Sequence, residues 1–218
     1  MRKRPSLGPD RDAALAQYRR RAGTYDLELA LFEPIRRRAI EELAPRRGDT
    51  VFDVGCGTGL SFDLLHERVG VAGHIVGIEQ SPEMIERARE RVARAGHRNI
   101  TLLCAPVEQA HVPAARRQAD GALFHFTHDI LRRADALDHL LAYLKPGAVV
   151  VATGLQWAPP WAVAVNLMVW VGALRSVSAL SGLARPYSLL AERIDDLHVV
   201  DLLGGGVFLA SGRSRASA

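Results

Sequence analysis

The stretch VFDVGCGTGLS, residues 51–61, joins an apolar run of strand character to a loop in which Gly55, Gly57 and Gly59 alternate with other residues. Loops of this kind bring the backbone close to a nucleotide cofactor where a Cβ would collide, and the glycine spacing says which cofactor. A dinucleotide turn carries glycine at its first, third and sixth positions. Counted from Gly55, the third is Gly57, but Leu60 stands at the sixth and the last glycine comes one place early, at Gly59. A phosphate-gripping P-loop does not fit either, because no Lys-Ser/Thr pair follows the glycines.

Outward from this loop, strand and helix patterns alternate. Runs at 50–55, 74–79, 99–104, 120–126 and 148–155 read as strands, and 61–69, 81–96 and 130–144 as helices. The helix at 81–96 has its own start signal, with Ser81 as N-cap and Pro82 at the first helical position, and sets Met84, Ile85, Ala88 and Val92 on one face. The helix ending at 144 meets the stop signal KPG, residues 145–147. This order predicts an α/β protein with right-handed crossovers and a mostly parallel sheet covered on both faces. The tail differs: LHVVDLL (197–203) and VFLASG (207–212) flank three glycines, a hairpin that predicts an antiparallel finish to the sheet.

Upstream, PIRRRAIEELA predicts a helix from Pro34 with Ile35, Ala39, Ile40 and Leu43 on one face and the arginines on the other. An earlier helix is expected from Asp10. All three tryptophans, Trp157, Trp161 and Trp170, fall in a helical insert at 156–196. With no repeat and no linker, residues 1–218 read as one domain, with a helical cap at 1–45 and the insert as a helical lid.

The 48% hydrophobic and 24% charged composition is that of an ordinary globular protein. The net charge of +4 and pI near 9.5 come from scattered arginines, which solvate helix faces more often than they bind nucleic acid. Cys56 and Cys104 form no CxxC pattern, so neither a disulfide framework nor a metal site is expected. The basic start leads into no signal-peptide core, and the most apolar stretch, 161–174, is shorter than the roughly 20 residues of a membrane-spanning helix. A cytoplasmic location is expected.

VFDVGCGTGLS resembles the first motif of class I S-adenosyl-L-methionine-dependent methyltransferases, and the resemblance runs across nearly the whole chain. PRRGDTVFDVGCGTG has the family's approach to that motif, GIEQSPEMIERAR resembles its second, and LKPGAVVVA resembles its start of strand five. The resemblance implies a Rossmann-like three-layer sandwich on a seven-stranded sheet, and S-adenosyl-L-methionine as cofactor with S-adenosyl-L-homocysteine as product. Gly55, Gly57 and Gly59 would pass close to the methionine portion, with Asp53 anchoring the loop or the ligand's ammonium. Glu79 offers two acceptor oxygens to the ribose hydroxyls. Gln80 and Met84 would line the adenine edge. The family often places an acid after strand three to receive the adenine amino group; this chain has Ala105 there, so the backbone around Ala105 and Pro106, or Glu108, would have to serve. Phe124, near the end of strand four, is a further expected cofactor contact. YRRRAGTYD (18–26) resembles an N-terminal segment whose aromatic residue folds over the sulfonium, which makes Tyr18 and Tyr25 candidates.

Methyl transfer needs a protein base only where the acceptor must lose a proton. FHFTHDIL, residues 124–131, lies at the carboxyl end of strand four, where ligands of open α/β sheets bind. His128 and His125 are the candidate bases, and Asp129 either orients an imidazole or caps a helix. Trp157, Trp161, Met168, Trp170 and Tyr187 would build an apolar pocket for a small acceptor of secondary-metabolite, quinone or lipid type, or a satellite core under the lid. An interfacial surface touching a bilayer and a homodimer face are further readings of this insert. An RNA methyltransferase and a non-catalytic cofactor-binding protein are the alternatives. Against RNA stand the absence of a folded RNA-binding module and of an NPPY-type motif.

Overall fold

The central strand β1 (Thr50–Val54) is buried from Val51 onward on both faces, and the rest of the molecule is built around it. The structure is a computed structural model describing residues 32–112, 118–176 and 182–215. Tyr18 and Tyr25 lie outside the described residues.

Before β1 runs helix α1 (Glu33–Leu43), and after it come α2 (Phe62–Val69), β2 (His74–Glu79), α3 (Pro82–Ala95) and β3 (Ile100–Cys104). The second half continues with β4 (Ala119–His125), short α4 (His128–Leu131), α5 (Ala134–Leu141) and β5 (Leu144–Leu155). Helices α6 (Val163–Ser176) and α7 (Ser188–Ala191) precede the closing strands β6 (Ile194–Leu202) and β7 (Val207–Ser214). The seven strands form one sheet in the order β3-β2-β1-β4-β5-β7-β6. All pairings are parallel except those of β7, which runs antiparallel to both β5 and β6. The expected architecture, parallel with an antiparallel hairpin at the end, is the one observed.

Alternation along the strands sorts two cores. Phe52, Val54, Ala122, Phe124, Val150 and Ala152 face α5 and the turn after β3. Val51, Leu123, Val151 and Leu209 face α1, α2 and α3 through Ile40, Leu43, Phe62, Leu65 and Ile85. The predicted N-cap of α3 is present, with the Met84 amide donating to Ser81 Oγ at 3.3 Å, and the structure adds a C-cap, Gly96 in the left-handed region.

Three details depart from expectation. The helix expected at 130–144 is two, because the chain breaks around Arg132 and Arg133 before α5. The KPG segment does not separate helix from strand; it lies inside β5, an exposed irregular start with Gly147 at φ 77° and Lys145 paired with Asp120. Finally, α1 does not put all its arginines on the solvent side. Arg37 and Arg38 are exposed, but Arg36 is only 2% accessible, because a 3.6-residue period carries it onto the edge of the face shared by Ile35 and Ala39.

Candidate active site

The glycine loop leaves β1 and is tied back to β2, with the Gly55 and Cys56 amides both donating to the Ile78 carbonyl, at 2.7 and 3.0 Å. Gly55 has φ 69°, and a Cβ there would lie 2.5 Å from Thr127 Cγ2 and 3.0 Å from Ile130 Cδ1. That close approach fixes glycine at this position. Gly59, at φ 79°, is glycine for a different reason: its Cβ would strike the Phe62 ring, so it shapes the loop on the core side.

At the end of β2 the Glu79 carboxylate organises the same loop. Oε2 accepts from the Gly57 amide at 3.2 Å and Oε1 from the Ser81 amide at 2.8 Å. Burial raises its pKa, opposed by these amide hydrogen bonds, which favour the ionised form. Each oxygen keeps a further lone pair for a ligand.

Gly55, Gly57, Glu79, Gln80 and Met84 form one wall of an open cleft, and residues 125–130 form the other. The structure therefore brings five of the expected cofactor residues together with both candidate histidines. Asp53 lies beneath the loop, 2% accessible and off the cleft lining. Ala105 and Pro106 also lie off the lining, and the Ala105 amide is held by the Glu79 carbonyl at 3.0 Å. Glu108 makes an ion pair with Arg133 at 2.9 Å. Phe124 is a correction: it has no accessible surface and packs in the core, because alternation turns its ring away from the α1 face on which His125 lies. Phe126 lines the cleft instead, held at φ 58°, with its ring 4.7 Å from that of Phe32.

The two histidines differ. His128 is 2% accessible, and its Nε2 lies 2.9 Å from the Leu155 carbonyl oxygen. That oxygen can only accept, so Nε2 carries the hydrogen and Nδ1 presents a lone pair without a partner. Burial lowers its pKa, partly countered by the Leu155 hydrogen bond and the Asp129 charge. His125 pairs Nδ1 with Thr153 Oγ1 at 2.7 Å, and its Nε2 has no partner. Burial, and then the Arg36 charge, lower its pKa to about 3.

The aromatic residues of the insert do not wall this cleft. Trp161 is 81% accessible, and Trp170 and Met168 are also exposed. Trp157 packs on a small cluster with Leu155, Val169, Ala173 and Phe126, and the Tyr187 ring lies 5.2 Å from that of Phe208. Val169 and Ala173 bury the inner side of α6, which leaves Trp170 on its outer side.

The methyltransferase-domain family profile matches residues 51–147. Aklanonic acid methyltransferase DauC of Streptomyces sp. (strain C5) is 31% identical over 187 residues, covering 81% of this chain and 83% of the relative. The chain belongs to the S-adenosyl-L-methionine-dependent methyltransferases. Among solved structures, an Aquifex aeolicus SAM-dependent methyltransferase superposes with a TM-score of 0.60 at 22% identity, covering 85% of this chain and 92% of its own. A Methanococcus maripaludis protein assigned to the same enzymes gives 0.67 at 16% identity over 100% of this chain and 98% of its own.

The cradle of this methyltransferase fits its cofactor. Gly55 leaves a gap that any Cβ would fill, and Glu79 holds open acceptor sites at the end of β2. Among the described residues, five buried polar side-chain atoms lack a partner: Arg36 Nε, Asp53 Oδ2, His125 Nε2, Thr127 Oγ1 and His128 Nδ1. They come from α1, from the end of β1, and from β4 with the turn that follows it. Sequence reading missed Phe126, Thr127, Ile130 and Arg36. The first three sit inside the flagged FHFTHDIL segment, whereas Arg36 gave no signal.

Proposed function

We propose that this methyltransferase acts on an apolar small molecule of secondary-metabolite, quinone or lipid type, with His128 receiving the proton that the acceptor loses. The observation that carries the reading is the unpartnered His128 Nδ1, fixed by the Leu155 carbonyl in the wall facing the glycine loop. When bound, the cofactor supplies an electrophilic methyl group on a sulfonium. The chain's own part is alignment, exclusion of water and custody of one proton. Glu79 would hold the ribose, Gly55 and Gly57 the methionine portion, and Gln80 and Met84 the adenine edge. His128 stays neutral at pH 7 and is ready to accept a proton, whereas His125, with its pKa near 3, serves as a neutral hydrogen-bonding group.

The apolar character of the acceptor is supported by the surroundings of the cleft. Phe126 and Ile130 line it, and Phe126 adjoins the cluster under α6. The Streptomyces relative is named for a small-molecule acceptor, aklanonic acid. A labelled-methyl assay over a panel of phenols, quinols, hydroxylated lipids and transfer RNA tests the reading. Label in an apolar acceptor with release of S-adenosyl-L-homocysteine is expected. Label in RNA alone, or no turnover with any acceptor, refutes it.

A further inference from the structure

Helix α6 is apolar on both sides. Val169 and Ala173 are buried with Leu155 and Leu183, as packing on a core requires. The opposite side, where a surface helix carries charge, presents Val163, Leu167, Met168, Trp170, Val171 and Leu174, exposed by 38% to 71%. From Gln156 to Leu174 the sequence contains no charged residue. Asn166, inside this run, spends its side chain on the backbone: Oδ1 accepts from the Ala158 amide at 2.9 Å and Nδ2 donates to the Ala158 carbonyl at 3.2 Å.

A second segment adjoins this face. Leu203, at the tip of the β6–β7 hairpin, is 51% exposed and left-handed at φ 48°, a conformation that a residue with a Cβ adopts only at a cost. The turn closes on α6 at Gly206, where a Cβ would lie 2.7 Å from Val165 Cγ1 and 3.3 Å from Met168 Cε. Leu155 and Leu202 both pair with Val207, so the chain to α6 and the hairpin tip leave the sheet at the edge where β1 and β4 end in the cleft. Asp201, the acid closest in sequence to the tip, is tied to Gln156 Nε2 at 2.7 Å.

The chemistry of the face selects its occupant. Apart from the Trp170 indole N–H, its six large side chains offer no strong hydrogen-bonding group. Interfaces between proteins carry about one hydrogen bond per 100–200 Å², whereas lipid chains ask for none. A second copy of this chain would bring like charge, since the net charge is +4, and an anionic leaflet brings the opposite. With 14 residues α6 is about 21 Å long, and no helix among the described residues is long and apolar enough to cross a membrane. Such a helix lies along the surface of a bilayer.

We propose that the outer face of α6, with Trp161 and Leu203, docks on an anionic lipid leaflet and brings the cleft edge of the sheet against it. Trp161, 81% exposed just before the helix, suits the headgroup boundary. Phe126 lines the cleft and packs on the cluster that carries the inner side of α6, so the docked face and the cleft share one apolar support. The docking stands on this surface alone; its use for collecting an acceptor rests on the acceptor being apolar.

The test is flotation of the full chain with vesicles of mixed phosphatidylcholine and phosphatidylglycerol. The chain should rise with the lipid, its tryptophan emission should shift to the blue, and lipids brominated in their acyl chains should quench it. Binding to phosphatidylcholine alone should be about 10-fold weaker, and salt should weaken binding to the mixed vesicles. Leu167→Gln with Leu174→Gln should lower the partition on the order of 100-fold, and Leu167→Met with Leu174→Met should retain it within about threefold. Both variants should keep the wild-type melting temperature and affinity for S-adenosyl-L-homocysteine, which separates lost docking from lost fold. No flotation, equal flotation of the glutamine variant, or equal binding to the uncharged vesicles overturns the proposal. So does a stoichiometric dimer that forms in place of lipid binding and that the glutamine substitutions dissolve. A substantially lower melting temperature in the glutamine variant overturns it too, because the face would then be covered in the free chain. A chain that ignores vesicles yet methylates a dissolved apolar acceptor refutes the docking and leaves the acceptor assignment standing.

Discussion

His128 Nε2 lies 2.9 Å from the carbonyl oxygen of Leu155, a bond across 27 residues that joins the first residue of α4 to the last residue of β5. It fixes the tautomer and leaves Nδ1 as the free base. His128→Gln should therefore lower kcat about 10²- to 10⁴-fold with an acceptor that must lose a proton, while cofactor affinity changes little. Because the imidazole pKa is lowered, the acid limb of the kcat profile should lie below about 6.5, the ordinary histidine value. A pH series of methyl transfer from pH 5 to 8 reads both effects. A limb above that value, or an unchanged kcat in the variant, removes His128 from the chemistry.

Glu79 spans the loop and the start of α3 through two amide donors. Glu79→Ala deletes both and, with them, the acceptors proposed for the ribose, so cofactor affinity should fall about 100-fold or more, from hydrogen bonds to a charged group. Glu79→Gln turns an NH2 toward one of those amides and should lose nearly as much. Titration with S-adenosyl-L-homocysteine measures this without turnover.

Gly55→Ala faces two costs at once. The left-handed conformation at φ 69° costs roughly 1–2 kcal/mol for a residue with a Cβ, and the new methyl must displace Thr127. Melting temperature and cofactor affinity should both drop. The turn at 125–130 should move with the substitution, detectable as changed amide exchange there.

The buried ionisable groups predict opposing pH dependences. His125 has its folded pKa depressed to about 3, so between about 6.5 and 3 the unfolded chain binds the proton and the native chain does not. Stability from this group is present above pH 6.5 and lost as pH falls. Asp53 is raised from 3.8 to about 7, so its contribution is lost as pH rises through that window. Relative to wild type, His125→Gln should gain up to about 1.4 kcal/mol for each pH unit below 6.5, and Asp53→Asn should gain with rising pH between 4 and 7. Denaturant unfolding of the three proteins at pH 5, 6 and 7.5 checks the signs.

The outer face of α6 makes a different prediction. Leu167, Trp170 and Leu174 are exposed, at 59%, 45% and 54%. Replacing each by Gln should change stability by no more than about 0.5 kcal/mol. Concentration-dependent association should fall, as measured by light scattering, since exposed apolar surface drives such contacts. A large loss of melting temperature would mean the residues are covered in the folded protein.

The sequence by itself determined the sheet, the glycine loop and the residues of one wall of the cleft. Strand period, helix caps and positive-φ glycines are local requirements, so Gly55, Gly57, Ser81 and Pro82 are legible in order along the chain, and Glu79 follows from its distance to Gly57. Tertiary structure decided what depends on which face covers which. Whether His125 or His128 keeps a usable lone pair hangs on the Leu155 carbonyl and Thr153, both contributed by β5. Phe124 went to the core and Phe126 to the cleft through the alternation of a strand whose register is set by its neighbours. Arg36 looks in the sequence like one of three solvent-facing arginines; only the packing of α1 against β4 and β5 takes it out of water beside Asp53. A burial of that kind is a property of two surfaces meeting, and neither segment carries it alone.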